Sequence, residues 1–486
     1  MDNTGHRPRL PAWLSRFRQH LGEGAGESVE LIETHISWLL LVDGLAYKLK
    51  KPVVLPFLDY STLANRHFFC NEELRLNRRF APDLYLDIVP VDAGSDEWAL
   101  RMRRFPEASR LDHVCARGEL GPTQLSELAR VIVDFHERAA SAPADSRFGE
   151  PAQVLAPALE NFAELRSLLP GEEARLDKLH AWTSREFSGL VERIRTRKLA
   201  GRVRECHGDL HLGNLVLIGD KVTPFDCIEF NDDLRWIDVV SELSFPYIDL
   251  LDHQRPDLAG WLLNEWLAVS GDFAAVPLLR FHAVYRALVR AKVAGIRDDA
   301  AEAGKYLCLA EQLMTPPDPT LTITFGLSGA GKTWASSAMI LADKRATTLR
   351  LRSDIERKRL FGLSETAASQ SDIDAGIYTA EAGSRTYDHL ASIAAELLAS
   401  GWSVVVDAAF LERKQRDRFR RLAYRYRAPF KICACRASTA ALRQRIAQRS
   451  GDASEATLAI LTRQLSRVEP LARDELPFVI GSKVGK

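Results

Sequence analysis

The chain has 486 residues, 65 Lys+Arg against 65 Asp+Glu, 46% apolar and 27% charged residues. At a typical domain size of about 150 residues this predicts two to four domains of ordinary globular composition, and excludes disorder, collagen-like repeats and wholesale coating of a polyanion. The longest apolar runs fall far short of the roughly 20 residues needed to cross a bilayer, and residues 1–21 carry no continuous hydrophobic segment of signal-peptide type. A cytosolic protein with no membrane partner is expected. The seven cysteines are scattered, without any C-x-x-C spacing, and read as reduced thiols, Cys433 and Cys435 as core.

In chain order, residues 1–27 read as an N-terminal helical extension. Ile36–Val42, a turn at Asp43-Gly44, and Leu45–Val53 predict a β-hairpin. Thr62–Phe80 has an imperfect helical period, and Leu120–Glu192 and Leu250–Leu313 are helical with few strand signals. A small β-rich lobe (about 28–105) followed by a larger helical lobe (106–314) is implied, an α+β bilobal domain. Pro316, Pro317 and Pro319 deny both helix and ladder, so residues 315–320 are expected to be a stiff linker. Beyond it, residues 321–486 alternate strand and helix, as expected for an α/β domain with a parallel sheet. Charge is unevenly spread. Asp226–Asp252 is acidic, with Arg235 its only basic residue, whereas Arg413–Arg449 is arginine-rich.

The segment Cys206 to Ile218 ends in a strand, turns at Gly219-Asp220 and returns as Lys221 to Phe225. Asp209, Asn214 and Asp226 thereby meet at the mouth of one hairpin. Phosphoryl transfer from a nucleotide needs a carboxylate to orient the acceptor hydroxyl and oxygen ligands for Mg²⁺. His207, Gly208, Asp209, His211 and Asn214 match H-G-D-x-H-x-x-N, and here the chain resembles the aminoglycoside phosphotransferase branch of the protein-kinase-like superfamily. The resemblance implies ATP and Mg²⁺, with Asp209 as catalytic base and Asn214 and Asp226 as metal ligands. It also implies a strand lysine for the α- and β-phosphates, fitted by Lys48 in Ala46-Tyr47-Lys48. Its helical partner is Glu72 or Glu73, with Glu73 favoured by its spacing to Leu76. Asp238 resembles the aspartate that braces the catalytic loop. His207 reads as a packed residue rather than a proton carrier. Two departures stand out: Asp226-Cys227-Ile228-Glu229 replaces Asp-Phe-Gly, making Glu229 a further metal ligand or acceptor-pocket residue, and Glu33–Ser37 replaces the glycine-rich loop, where hydroxyls and amides could contact phosphate instead.

A second centre is Gly326-Leu327-Ser328-Gly329-Ala330-Gly331-Lys332-Thr333, a full G-x-x-x-x-G-K-[ST] match between a strand and a helix. Backbone amides from Gly326, Ser328, Gly329, Ala330 and Gly331 would cradle phosphates, Lys332 reach the β- and γ-phosphates, and Thr333 ligate Mg²⁺. Val404–Asp407 is an apolar strand ending in an acid, placing Asp407 near that metal. Asp354 and Arg357 follow a third strand. This region resembles P-loop kinases such as polynucleotide kinase, zeta toxins and gluconate or adenylylsulfate kinases, which implies Asp354 as base and Arg357 as phosphate clamp. Arg445 and Arg449, four apart on one helix, suit a lid over the transferred group, against the plainer reading of a solvated basic face.

The whole chain resembles bacterial fusions of an aminoglycoside-phosphotransferase-like domain with a P-loop kinase-like domain. The leading expectation is a bifunctional ATP-dependent kinase, each domain phosphorylating a hydroxyl of a sugar-like or nucleotide-like small molecule. Two alternatives stand beside it: a P-loop domain acting on nucleic-acid 5′-hydroxyl ends, and an ATP-binding switch with a degraded first site.

Overall fold

In the computed structural model the described residues are 10–26, 28–55, 58–92, 96–365, 367, 377, 379–448 and 457–481. They divide into two compact units: Met1–Leu120, Phe135–Gln153 and Ile194–Phe245 in the first, Gly121–Asp134, Val154–Arg193 and Pro246–Lys486 in the second. Among the described residues no helix is long and apolar enough to cross a membrane.

The first unit is built on a five-stranded antiparallel sheet. Its spatial order is Glu30–Glu33, Ser37–Val42, Leu45–Lys50, Trp98–Arg103, Tyr85–Pro90. The expected hairpin is present, closed at Asp43, whose φ of 55° is the left-handed value a tight two-residue turn demands. Alternation along Leu45–Lys50 sorts its side chains onto two faces. Tyr47 and Leu49 join a core with Trp38, Leu40 and the N-terminal helix Ala12–Ala25, which contributes Leu14 and Phe17. Phe17 meets Tyr47 edge-to-face at 5.6 Å. On the opposite face Ala46 packs with Leu100, Tyr85 and Leu74, and Lys48 and Lys50 turn toward helix Leu63–Asn77. That helix starts at Thr62, whose hydroxyl accepts the Asn65 N–H. The strands Tyr85–Pro90 and Trp98–Arg103 were not anticipated from the sequence, because one ends in proline and the other carries Arg101 and Arg103 among its apolar residues.

The second unit carries a five-stranded parallel sheet in the order Thr348–Arg352, Ser403–Asp407, Leu321–Phe325, Phe430–Ala434, Val479–Gly481. The expected α/β domain with a parallel sheet is thus observed. The expected cut at 315–320 falls inside this unit, because helices that precede the prolines pack on the sheet. Asn264, in helix Pro256–Ser270, donates to Thr348 O at 2.9 Å and accepts the Arg350 N–H at 2.6 Å, stitching that helix to the edge strand. Tyr247 adds a hydroxyl bond to Ala346 O.

Candidate functional site

In the first unit, the hairpin Leu215–Ile218 and Lys221–Pro224 delivers Asp226 beside Lys48. The Lys48 ammonium lies 2.5 Å from Asp226 Oδ1 and 2.7 Å from Glu73 Oε1, so of the two candidate glutamates the structure pairs Glu73 with Lys48. Glu72 instead pairs with Arg75. Asp226 sits at φ 65°, a left-handed conformation costly for a residue other than glycine, asparagine or aspartate. It is held by its own N–H donating to Tyr85 Oη and by Cys227 N–H donating to Asn77 Oδ1. Burial alone would lower the Lys48 pKa, but Asp226 and Glu73 outweigh it and hold the ammonium well above its ordinary value.

Lys50, two residues on and therefore on the same strand face, was not foreseen as part of the centre. Its ammonium reaches the other Glu73 oxygen at 2.8 Å, pairs with Glu229, and lies 3.3 Å from Tyr60 Oη, which also donates to Glu229. Glu229 is therefore a buried counter-ion of Lys50, which corrects the expectation of a metal ligand or pocket residue. The signal was present in the sequence as Lys48-x-Lys50.

Asp209 lies in the turn before the hairpin. Asn214 donates through Nδ2 to Asp209 O at 3.0 Å and Oδ2 at 3.4 Å, leaving its side-chain oxygen as the group able to ligate a cation. His211 Nε2 is 3.5 Å from Asp209 Oδ2. His207 is fully buried. Its Nε2–H donates to Phe225 O and its Nδ1 accepts the Asp209 N–H, which fixes a neutral ring; burial lowers its pKa. The carboxylate that grips the loop is Glu242, accepting the His207 and Gly208 N–H groups at 2.6 and 3.1 Å and touching His136 at 3.2 Å. Asp238, expected in that place, forms a bidentate pair with Arg197 instead. The turn replacing the glycine-rich loop is closed on itself. Thr34 N–H donates to Ser37 O, Ser37 N–H donates to Thr34 Oγ1, and Lys51 binds Glu33 and Thr34 O. The expectation that these groups face phosphate is corrected accordingly.

In the second unit the phosphate loop leaves strand Leu321–Phe325 and enters helix Lys332–Leu341. Gly326, Gly329 and Gly331 have φ of 154°, 82° and 88°, so none of the three tolerates a side chain without strain. Lys332 Nζ donates to Leu327 O at 2.9 Å. Ser336, one helical turn after Thr333, donates to Asp407 Oδ2 at 3.2 Å, which brings the end of strand Ser403–Asp407 to the start of the loop's helix. A glycine-rich loop, a hydroxyl at a helix N-terminus and an adjacent acid suit a nucleoside triphosphate with Mg²⁺, but the Gly326 and Ala330 N–H groups donate to Ala409 O and Leu327 O at 3.1 Å each, which corrects the expectation that these two amides cradle phosphate. Arg445 donates to Gly329 O at 3.1 Å, placing it against the loop; Arg449 lies outside the described residues. Asp354 and Arg357 share helix Ser353–Leu360 and form an ion pair at 3.2 Å. Gln464, which the sequence placed only in the segment returning from the lid, accepts the Ser328 N–H at 2.7 Å.

Residues 321–471 match the family model described as an AAA domain. A protein of Mycobacterium tuberculosis, Rv2004c, is 30% identical over 446 residues, covering 89% of this chain and 88% of its own, and the Mycobacterium bovis protein Mb2027c matches equally. The chain belongs to the family that these mycobacterial proteins represent. Among solved structures, a choline/ethanolamine kinase family protein from Mesorhizobium loti is 13% identical with a TM-score of 0.41, covering 63% of this chain and 96% of that one. The GDP complex of aminoglycoside 2′-phosphotransferase-IIIa is 13% identical with a TM-score of 0.40, covering 63% and 99%.

Proposed function

We propose that the protein is a bifunctional ATP-dependent phosphotransferase in which each unit passes a γ-phosphoryl group to a hydroxyl of a small molecule. The observation that carries the first site is the Lys48 ammonium held between Glu73 and Asp226, a cation fixed where nucleotide phosphates would need one, with Asp209 and Asn214 on the adjoining loop. The phosphate loop and its neighbouring Asp407 support the second. In either site the acceptor oxygen attacks the γ-phosphorus and the bond to the β–γ bridging oxygen breaks. ADP departs, and the hydroxyl proton passes to Asp209 or Asp354. Asn214 and Asp226 in one unit, and Thr333 and Asp407 in the other, would hold Mg²⁺, which supplies neutralisation of the phosphate charge when bound. The chain's own part is positioning: Glu242 fixes the Asp209 loop through its amides, and Glu73 orients Lys48.

The test is to follow γ-labelled ATP against a metabolite panel with Asp209→Asn and Asp354→Asn made separately. Each substitution is expected to abolish one labelled product and spare the other; two fully active variants would overturn the assignment. A second reading, in which the first site binds ATP without turnover, is favoured by one observation, the self-closed Thr34–Ser37 turn. Under it, Asp209→Asn changes no product while Lys48→Met still weakens nucleotide binding.

A further inference from the structure

At the carboxyl ends of the parallel strands of the second unit lies a cleft of about 230 Å³, lined by Arg357 and Tyr387, by Leu411 and Glu412, and by helix Leu458–Arg467. Ligands of open α/β sheets bind at this edge, and the volume, below the roughly 300–1,000 Å³ of drug-sized sites, has room for a small metabolite.

The lining is cationic by construction. Ile460, Arg463, Gln464 and Arg467 all face the cleft, and their spacing of three, four and seven residues is one face of a helix. Gln464 is bonded to the Ser328 amide of the phosphate loop, so this arginine-bearing face stands beside the place where a γ-phosphate would sit. Across the cleft, Arg357 is paired with the candidate base Asp354. Glu412 is the one carboxylate among the described lining residues, and its Oε2 lies 2.8 Å from Lys414. The nucleotide side of the loop has cations of its own in Lys332 and Arg445. Three further guanidiniums are more than a neutral alcohol needs, and their planar forks match phosphate oxygens two at a time.

We propose that this cleft binds the acceptor by a phosphate group it already carries: the substrate of the second unit is a small phosphorylated alcohol, cradled by Arg357, Arg463 and Arg467. The inference rests on the reading of this unit as a phosphoryl-transfer site and names its substrate class.

The test is calorimetry on the full-length chain saturated with Mg²⁺ and AMP-PCP, which fills the γ-position, titrated in turn with glycerol 3-phosphate, glycerate and glycerol. Glycerol 3-phosphate is expected to bind best. Arg463→Gln with Arg467→Gln should weaken it by about tenfold or more while AMP-PCP affinity stays within about twofold, and Arg463→Lys with Arg467→Lys, which keeps the charge and loses the fork, should fall between the glutamine pair and the wild type. Thermal melting of each variant confirms folding. Equal glycerol 3-phosphate affinity in the wild-type and glutamine chains, a preference for glycerate or glycerol, or a parallel loss of AMP-PCP affinity would overturn the proposal. If AMP-PCP binding is indifferent to Lys332→Ala, the nucleotide reading fails, and the same titration run without nucleotide still decides the cleft.

Discussion

The side-chain oxygen of Gln464 accepts the backbone N–H of Ser328 at 2.7 Å, the kind of donor a phosphate loop offers to its nucleotide. Gln464 thus stands where a phosphate oxygen would, and it must let go when the nucleotide arrives. Gln464→Ala is therefore expected to tighten AMP-PCP binding several-fold, in line with the roughly 0.5–1.5 kcal/mol net worth of one hydrogen bond. Calorimetry on the full chain checks it. Unchanged or weaker binding would show that Gln464 supports the loop rather than competing with the ligand.

Lys48 and Lys50 occupy the same strand face, share Glu73, and are expected to fail differently. Lys48 also contacts the partly exposed Asp226, whereas Lys50 is paired with Glu229, itself buried, and both of its carboxylate partners lie out of solvent. Lys50→Met strands the buried Glu229 and leaves Glu73 to Lys48 alone, a class of change that costs about 3–5 kcal/mol. Lys48→Met leaves Glu73 paired with Lys50. The first variant should show a marked loss of melting temperature, and the second a smaller loss together with weakened nucleotide binding. Equal melting temperatures would contradict the division of labour.

How much of this was legible in the sequence depended on whether a residue acts through a local motif. Lys332, Thr333 and Asp407 were readable because a phosphate loop needs glycines and a hydroxyl at fixed spacing, and the parallel strand order then brings Asp407 alongside. Asp209 and Asp226 could be placed at the mouth of one hairpin, whereas Lys48 followed from the family resemblance; the structure sets its ammonium between Glu73 and Asp226. Glu242 was not: its role depends on a carboxylate returning to the His207 and Gly208 amides from 35 and 34 residues away, and Asp238, four residues earlier, was equally plausible by spacing. Glu229 was misassigned because Lys50, its partner, is 179 residues distant. Proline punctuation at 315–320 suggested a domain cut, yet buried apolar helices such as Pro256–Ser270 pack across that point in the chain.

Glu73 gives the first unit a signed response to acid. Burial pushes its carboxyl up, but Lys48 and Lys50 together outweigh that and hold it at about 2, below its ordinary 4.5. A folded-state pKa below the unfolded value means the stabilisation is complete above about 4.5 and is lost as pH falls through the window down to about 2. Melting temperature of the wild-type chain should drop across that window, and Glu73→Gln, already less stable at pH 7, should show a shallower dependence there. Parallel curves for the two chains would remove Glu73 from the acid response.

Gly326 is where the phosphate loop is least able to accept a side chain. Its φ is 154°, and a Cβ built there would meet Cys435 O at 2.5 Å, a backbone atom in the segment after strand Phe430–Ala434, which has no rotamer to yield with. Cys435 is itself fixed, since its N–H donates to Phe325 O at 2.8 Å. Relief therefore requires the loop to move away from the sheet, which takes the amides of Ser328 through Gly331 with it. Gly326→Ala is expected to lower the melting temperature, by an amount corresponding to about 1–3 kcal/mol of backbone strain, and to weaken AMP-PCP binding by about tenfold or more. Gly362→Ala is the control, a positive-φ glycine whose Cβ would meet nothing within 4 Å, and it should cost stability without touching nucleotide affinity. If the two variants lose affinity alike, the contact with Cys435 is not what holds the phosphate loop in shape.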